Sequence, residues 1–217
     1  MRKIKPKSYE YIENLMGAES ESKKKARANS EAIGLEGISL SIVEANLLHF
    51  FTDLAGAEKV VEIGTLTGLS ALYVLENSKN VKLWTLEKSP EHTEKAKQVL
   101  QSYISEGRCE LVLGDAKEKL NFIAQDSPFD LIFIDGNKAA YLDYFNWAVE
   151  NLKPGGLALI DNIFLAGAVW GDQTLQKFND KQIKVVNEMN QAAFNRPNLK
   201  SVVIPTEEGL LVCKKLF

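Results

Sequence analysis

Cysteine and histidine are scarce in this chain, and each scarcity closes off a class of chemistry. There are only two cysteines, Cys109 and Cys213, each in an apolar, strand-like run. Two thiols so far apart form neither a disulfide framework nor a thiolate metal site, so both read as core residues in a reducing cytoplasm. The two histidines, His49 and His92, both fall in helical patterns, which argues against a histidine general base. No apolar run approaches the roughly 20 residues that cross a bilayer. The basic start Met1-Arg2-Lys3-Ile4-Lys5-Pro6 is not followed by an apolar stretch of signal-peptide length. Nor is there charge of one sign: the net charge of −3 leaves no global attraction to a polyanion. The one basic cluster, Lys23-Lys24-Lys25 with Arg27, reads most simply as a solvated helix face. The expectation is a cytoplasmic protein with no membrane segment.

With 217 residues, 45% of them apolar, the chain has material for one domain with a sizeable core. Residues 1–56 are helical in pattern, with a clear amphipathic stretch over 41–48. From about residue 57 short β-rich runs alternate with longer amphipathic ones. The strand pattern covers 59–63, 81–86, 111–113, 129–134 and 157–160. Ser89-Pro90-Glu91 supplies a cap, a proline at the first helical position and an acid in the first turn, which opens a helix. The helix over 139–152 stops at the turn-rich Lys153-Pro154-Gly155-Gly156. After a helix over 180–193, two further runs, 202–205 and 210–212, are joined by only four residues. So short a link permits an antiparallel hairpin and forbids a helical crossover. The expected fold class is α/β. It is Rossmann-like and doubly wound, with a mostly parallel seven-stranded sheet, one antiparallel strand near the C-terminus and helices on both faces. A single domain is expected over 1–217, with 1–56 as a helical extension and 57–217 as the core.

In such a sheet, ligands bind beyond the carboxyl ends of the strands. Three acids stand at successive strand ends at one side: Glu62 before Gly64-Thr65-Leu66-Thr67-Gly68, Glu87 after the second strand, and Asp115-Ala116 after Gly114. Glycines in a strand-to-helix turn admit close backbone approach, and the helix start offers free N–H donors. Leu66 sits where a dinucleotide-binding turn has its second glycine, so pyrophosphate is disfavoured. Glu62 could accept from a cationic amino group, Glu87 from ribose hydroxyls, and Asp115 stands beside the adenine position. The plainer roles are a tight turn for the glycines and a helix cap for Asp115. At the other side, the fourth strand runs into Asp135 with Lys138 three residues on, and the fifth into Asp161-Asn162. Two carboxylates and an amide are hard-oxygen donors suited to a divalent cation. Their plainer roles are caps and turns.

The constellation Glu-x-Gly-x-x-x-Gly, an acid after strand two and Gly-Asp-Ala after strand three resembles the class I methyltransferases that use S-adenosylmethionine. Within that group, Phe133-Ile134-Asp135-Gly136-Asn137-Lys138-Ala139-Ala140-Tyr141 with Leu159-Ile160-Asp161-Asn162 resembles the cation-dependent O-methyltransferases of the caffeoyl-CoA and catechol type. The likeness runs from about Ser39 to Lys214, with Glu208-Gly209 where the family has Asp-Gly. The resemblance implies Asp135, Asp161 and Asn162 as metal ligands for Mg²⁺, with Ca²⁺ or Mn²⁺ as alternatives. It implies Lys138 and Asp135 as catalytic residues. It also implies cofactor contacts at Leu40, Glu62, Gly64, Thr65, Ser70, Glu87, Asp115, Ala116 and Asp135, and a homodimer. The chemistry suits these types. A phenol is mostly neutral at physiological pH, a nearby divalent cation favours its ionised form, and a lysine beside that cation and out of water sheds its proton more readily.

The expected acceptor is a small hydroxylated aromatic, catechol-like or caffeoyl-type. Gly136-Asn137 stands where the plant enzymes have Ala-Asp, and Leu165 where they have tryptophan, so the acceptor wall differs. Phe164, Trp170 and the stretch 23–38 are candidates to shape it, the two aromatics being equally readable as core. Two alternatives stay open: methylation of a modified wobble uridine of tRNA, with Lys23-Lys24-Lys25 on phosphates, and a non-catalytic nucleoside-binding module.

Overall fold

The computed structural model describes residues 7–76, 78–172 and 177–217, so the basic start at 1–6 lies outside the described residues. Three helices form the N-terminal part: α1 (Lys7–Met16), α2 (Glu21–Ala32) and α3 (Ile42–Leu54). Helix α3 begins with a capping box. The Ser41 hydroxyl accepts from the Glu44 N–H while the Glu44 carboxylate accepts from the Ser41 N–H, which satisfies two donors that a helix start leaves open.

The strand–helix alternation then builds β1 (Lys59–Ile63), α4 (Leu69–Leu75), β2 (Lys82–Glu87), α5 (Pro90–Ser105), β3 (Cys109–Leu113), α6 (Ala116–Ile123), β4 (Phe129–Ile134), α7 (Tyr141–Asn151) and β5 (Leu152–Ile160). Helix α8 (Asp180–Asn195) and the hairpin β6 (Leu199–Ile204) and β7 (Leu210–Lys215) follow. The sheet order is β3-β2-β1-β4-β5-β7-β6. Strand β7 runs antiparallel to both of its neighbours, and β1 to β5 pair in parallel. The expected α/β class, the mostly parallel seven-stranded sheet and the single reversed strand are all present. Ser89 caps α5, ahead of Pro90 at its start.

Several boundaries differ: β3 starts two residues earlier than expected, β6 three, and β7 runs three further. The largest difference is in β5, which begins at Leu152 rather than 157, because Leu152 pairs with Phe129 before the register shifts and Leu157 pairs with Leu131. The Lys153-Pro154-Gly155-Gly156 segment is thus a bulge inside the pairing, with Gly155 at φ +84, not a loop ahead of it.

Strand side chains alternate between two cores. Leu131 and Phe133 of β4 pack with Leu48, Leu72 and Leu100 of α3, α4 and α5. Ile132 and Ile134 pack on the other face with Leu120, Phe145 and Met189 of α6, α7 and α8. Each such side chain contributes about 1.5–3 kcal/mol by leaving water, so the sheet is a rigid base for whatever its strand ends carry. Cys109 and Cys213 are buried free thiols in these cores, as expected. No helix among the described residues is long and apolar enough to cross a membrane.

Candidate active site

The registers level the carboxyl ends of the central strands: Ile63 pairs with Leu86 and Ile134, and Ile134 with Ile160. The ladder continues one residue further. Gly64 N–H donates to the Leu86 carbonyl at 3.0 Å, Asp135 N–H to Ile63 at 2.9 Å and Asp161 N–H to Ile134 at 3.0 Å. Backbone pairing therefore sets the separation of Gly64, Asp135 and Asp161. Above them lies a cavity of about 580 Å³, ample for a small ligand.

At the β1–β2 side, Glu87 is nearly buried and held by two amides, Leu66 N–H and Ser89 N–H, each at 2.8 Å. His92 Nδ1 lies 3.4 Å from its Oε1. Leu66, at φ +50, adopts the left-handed conformation that its non-glycine position makes costly. Asp115 caps α6 by accepting from Lys117 N–H and pairs with Lys88 at 2.9 Å, so the cap role foreseen for it is real. It also lines the cavity, as do Leu40, Gly64, Thr65, Ser70 and Ala116. Glu62 does not: it is 1% exposed, behind that surface. Its Oε2 accepts from Thr85, whose hydroxyl also bonds Thr65, while Oε1 makes no well-formed hydrogen bond. Burial pushes the Glu62 carboxyl up to about 7, with the Ser70 and Thr85 hydroxyls opposing and the charges of Asp135 and Glu87 adding.

At the β4–β5 side, Asp135, Lys138 and Asn162 line the cavity. Lys138 is buried, and its Nζ donates to Asp135 Oδ1 at 2.9 Å and to the Tyr141 hydroxyl. That hydroxyl in turn donates to the Asp161 carbonyl at 3.0 Å, which ties the lysine to the end of β5. Asp161 is 1% exposed and stands just behind the cavity surface. Asn162 carries φ +58, a conformation that asparagine tolerates better than most residues. Asp161 Oδ1 and Asn162 Oδ1 are buried without hydrogen-bond partners among the described residues. Burial is the main reason the Asp161 carboxyl lies well above the usual range; the charges of Asp135 and Glu44 add to it and Lys138 opposes. Burying two such oxygens is costly unless a donor or a cation meets them.

Gly64 lines the cavity, and the glycines of the turn also answer to packing: a Cβ on Gly64 would lie 2.1 Å from the Asp135 carbonyl oxygen, and one on Gly68 3.0 Å from Val99. Other expectations need correction. The basic run is a solvated face only in part: Lys24 and Lys25 are exposed, but Lys23 is buried, paired with Glu76 at 2.9 Å and set over the Tyr73 ring, and Arg27 grips Glu19. Those two charges are committed internally, which leaves two of the four at the surface. Phe164 and Trp170 stack edge to face at 5.3 Å, with Trp170 64% exposed, and neither lines the cavity. Leu165 is buried, and the neighbouring Ala166 reaches the cavity instead. Of the stretch 23–38, Gly37 and Ile38 do line it.

Tyr144, Lys177, Phe178 and Glu208 also line the cavity; of these only Glu208 was noted in the sequence, as part of Glu208-Gly209. Buried Glu44, whose charge reaches Asp161, was visible only as the fourth residue of a Ser-x-x-Glu cap signature.

The chain matches the O-methyltransferase family over residues 16–216. It is 30% identical over 169 residues to a catechol O-methyltransferase of Niastella koreensis, a match covering 76% of each chain. A catechol O-methyltransferase of Mycobacterium tuberculosis is 30% identical over 182 residues, covering 83% of this chain and 80% of that one. Among solved structures, the O-methyltransferase TomG of Streptomyces achromogenes, crystallised in complex with SAM, aligns with a TM-score of 0.86 and 24% identity, over 97% of this chain and 96% of that one. That likeness speaks for the fold. With the profile match running over nearly its whole length, on this sheet order, the chain belongs to the O-methyltransferase family.

Proposed function

We propose that this chain transfers the methyl group of S-adenosylmethionine to a hydroxyl of a catechol-like acceptor, with a divalent cation held by Asp135, Asp161 and Asn162. The observation that carries the reading is the pair of buried, partnerless oxygens, Asp161 Oδ1 and Asn162 Oδ1, one strand from Asp135 and Lys138 and in reach of the cavity that Glu87 lines. Among the described residues no three of His, Cys, Asp or Glu are grouped to hold a metal. The proposed donor set is two carboxylates and an amide, hard oxygens that suit Mg²⁺, or Ca²⁺ or Mn²⁺. When bound, the cation supplies charge that favours the ionised acceptor, and the sulfonium supplies an electrophilic methyl group.

The chain's own residues supply the rest. Glu87, fixed by two backbone amides, takes the ribose hydroxyls. Glu62 offers its unpaired Oε1 to the ammonium group of the cofactor. Lys138 is the group placed to take the acceptor proton at Nζ, which Asp135 and Tyr141 hold in position. Ile38, Ala166 and Phe178 supply apolar walls that suit an aromatic ring. The relatives named catechol O-methyltransferase support the acceptor class. The dimer belongs to the same proposal, supported by exposed Tyr11, Leu15, Phe50 and Leu54 on α1 and α3, and sedimentation measures it.

The test is turnover of S-adenosylmethionine with a panel of catechols, in Mg²⁺ and in chelator, for the wild type and Asp161→Ala. Activity in Mg²⁺ that vanishes in chelator and in the variant is expected. Full turnover in chelator discards the cation, and inactivity on every catechol discards the acceptor class.

A further inference from the structure

Helix α2 touches both sides of the cavity mouth through two consecutive residues. The Ala26 carbonyl accepts from the Thr67 hydroxyl at 2.8 Å in a buried contact, which ties the helix to the turn after β1. Arg27 donates Nη1 to the Leu40 carbonyl at 3.0 Å, and Leu40 with Gly37, Ile38 and Ser39 forms the opposite wall.

The guanidinium is itself held firmly. Its Nε and Nη2 donate to the two oxygens of Glu19 at 2.6 and 2.8 Å, a bidentate pair with fixed direction. The Glu19 side chain is only 7% exposed, and its Oε1 also accepts from the Tyr73 hydroxyl of α4 at 2.8 Å. Burial and the Glu19 charge push the Tyr73 phenol upward, so it stays a donor. The Leu40 side chain is buried in the core and Leu35 is held by Ser30, but between them the wall has few ties. Gly34 and Gly37 sit at φ +74 and +72 with open space around them. Ile38 N–H reaches the Leu35 carbonyl at a long 3.3 Å, and the buried Ser39 hydroxyl has no hydrogen-bond partner among the described residues.

We propose that Arg27 is a positioning residue for the cofactor. Fixed by Glu19 and Tyr73, it fixes the Leu40 carbonyl and keeps the 37–40 wall in register with the turn that Ala26 holds. The inference rests on the cofactor reading given above, with Leu40 as one of the expected cofactor contacts.

The experiment compares Arg27→Met with Lys23→Met in the full-length protein. Lys23→Met breaks the neighbouring pair with Glu76 and the contact over the Tyr73 ring but leaves the bonds of Arg27 to Glu19 and Leu40 in place. Two readouts are taken: affinity for S-adenosylhomocysteine by calorimetry, and hydrogen exchange of the 37–41 amides in the unliganded protein. Arg27→Met is expected to weaken binding about tenfold, the loss of one charge-assisted hydrogen bond, and to speed exchange at 37–41. At saturating cofactor, kcat stays within about twofold, since the tie acts on binding and not on the reacting atoms. Lys23→Met is expected to lower thermal stability alone. Equal affinity and exchange in Arg27→Met and wild type, or the same losses in both variants, overturns the proposal. Should Arg27→Met not fold, Arg27→Lys keeps a charge against Glu19 while losing the third donor, and unchanged exchange there is equally fatal. Wild-type protein that does not bind S-adenosylhomocysteine fails the cofactor reading instead, while the exchange comparison still decides the Arg27 tie.

Discussion

Replacing Glu62 with glutamine removes one proton site and little volume, so its effect can be worked through. The buried Glu62 carboxyl titrates at about 7 against an ordinary 4.5. At about 1.36 kcal/mol per pH unit, that difference corresponds to about 3 kcal/mol. The folded chain holds this proton more tightly than the unfolded chain does. The group's stabilisation is therefore fully present below about pH 4.5 and is lost as pH rises through about 7. The wild type should lose about 3 kcal/mol over that window from this residue, and Glu62→Gln should not. The glutamine amide would still accept from Thr85 at one end and would place an N–H₂ where Oε1 is now unpaired. That offset, about 1–3 kcal/mol, does not vary with pH, so the diagnostic quantity is the slope. Urea unfolding without cofactor, at several values between about pH 5 and pH 8, measures the stability difference between the two proteins. A difference that stays constant within about 1 kcal/mol across the range would refute the raised titration and its cause in burial. If the cofactor ammonium pairs with ionised Glu62 as proposed, binding of S-adenosylhomocysteine near pH 6 should release close to one proton in the wild type and none in the variant.

Lys138→Met should lower kcat by about 10²–10⁴, the range for a lost general base, with cofactor affinity nearly unchanged by calorimetry; equal losses in both would argue against the base role. Glu87→Gln should weaken S-adenosylhomocysteine about tenfold with an unaltered circular dichroism spectrum, and an unaltered affinity would reject the ribose assignment. Gly64→Ala should cost more than about 3 kcal/mol, because its Cβ would overlap the Asp135 carbonyl oxygen at 2.1 Å on a backbone at φ +106. A melting temperature close to wild type would mean that the two strand ends separate freely.

The strand ends were readable because each ends on an acid or glycine at the break of an apolar run, and Ser89-Pro90 and Asp115 announce the next helix. That pattern is local, and it located residues that share one cavity: Glu87, Asp115, Asp135, Lys138 and Asn162. What was hidden depends on contacts distant in sequence. Nothing near Lys23 and Arg27 reveals that Glu76 and Tyr73, about fifty residues away, draw the former into the interior. The depth of Glu62 and Asp161 below the cavity surface was equally unreadable, because a strand-end acid looks the same whether it faces solvent or the sheet. Phe178 lies in a stretch without periodicity, so its place on the cavity wall carried no signal.

The near-contact of Gly64 with the Asp135 carbonyl has a consequence for how such a catalyst can diversify. On the function proposed above, donor and acceptor halves of the reaction would abut peptide against peptide, so main-chain contact would set the base from which the side chains span the gap a methyl group must cross. Residues 37–40 and Ala166, Lys177 and Phe178, which line the cavity away from that junction, could then be exchanged to admit new acceptors without disturbing it.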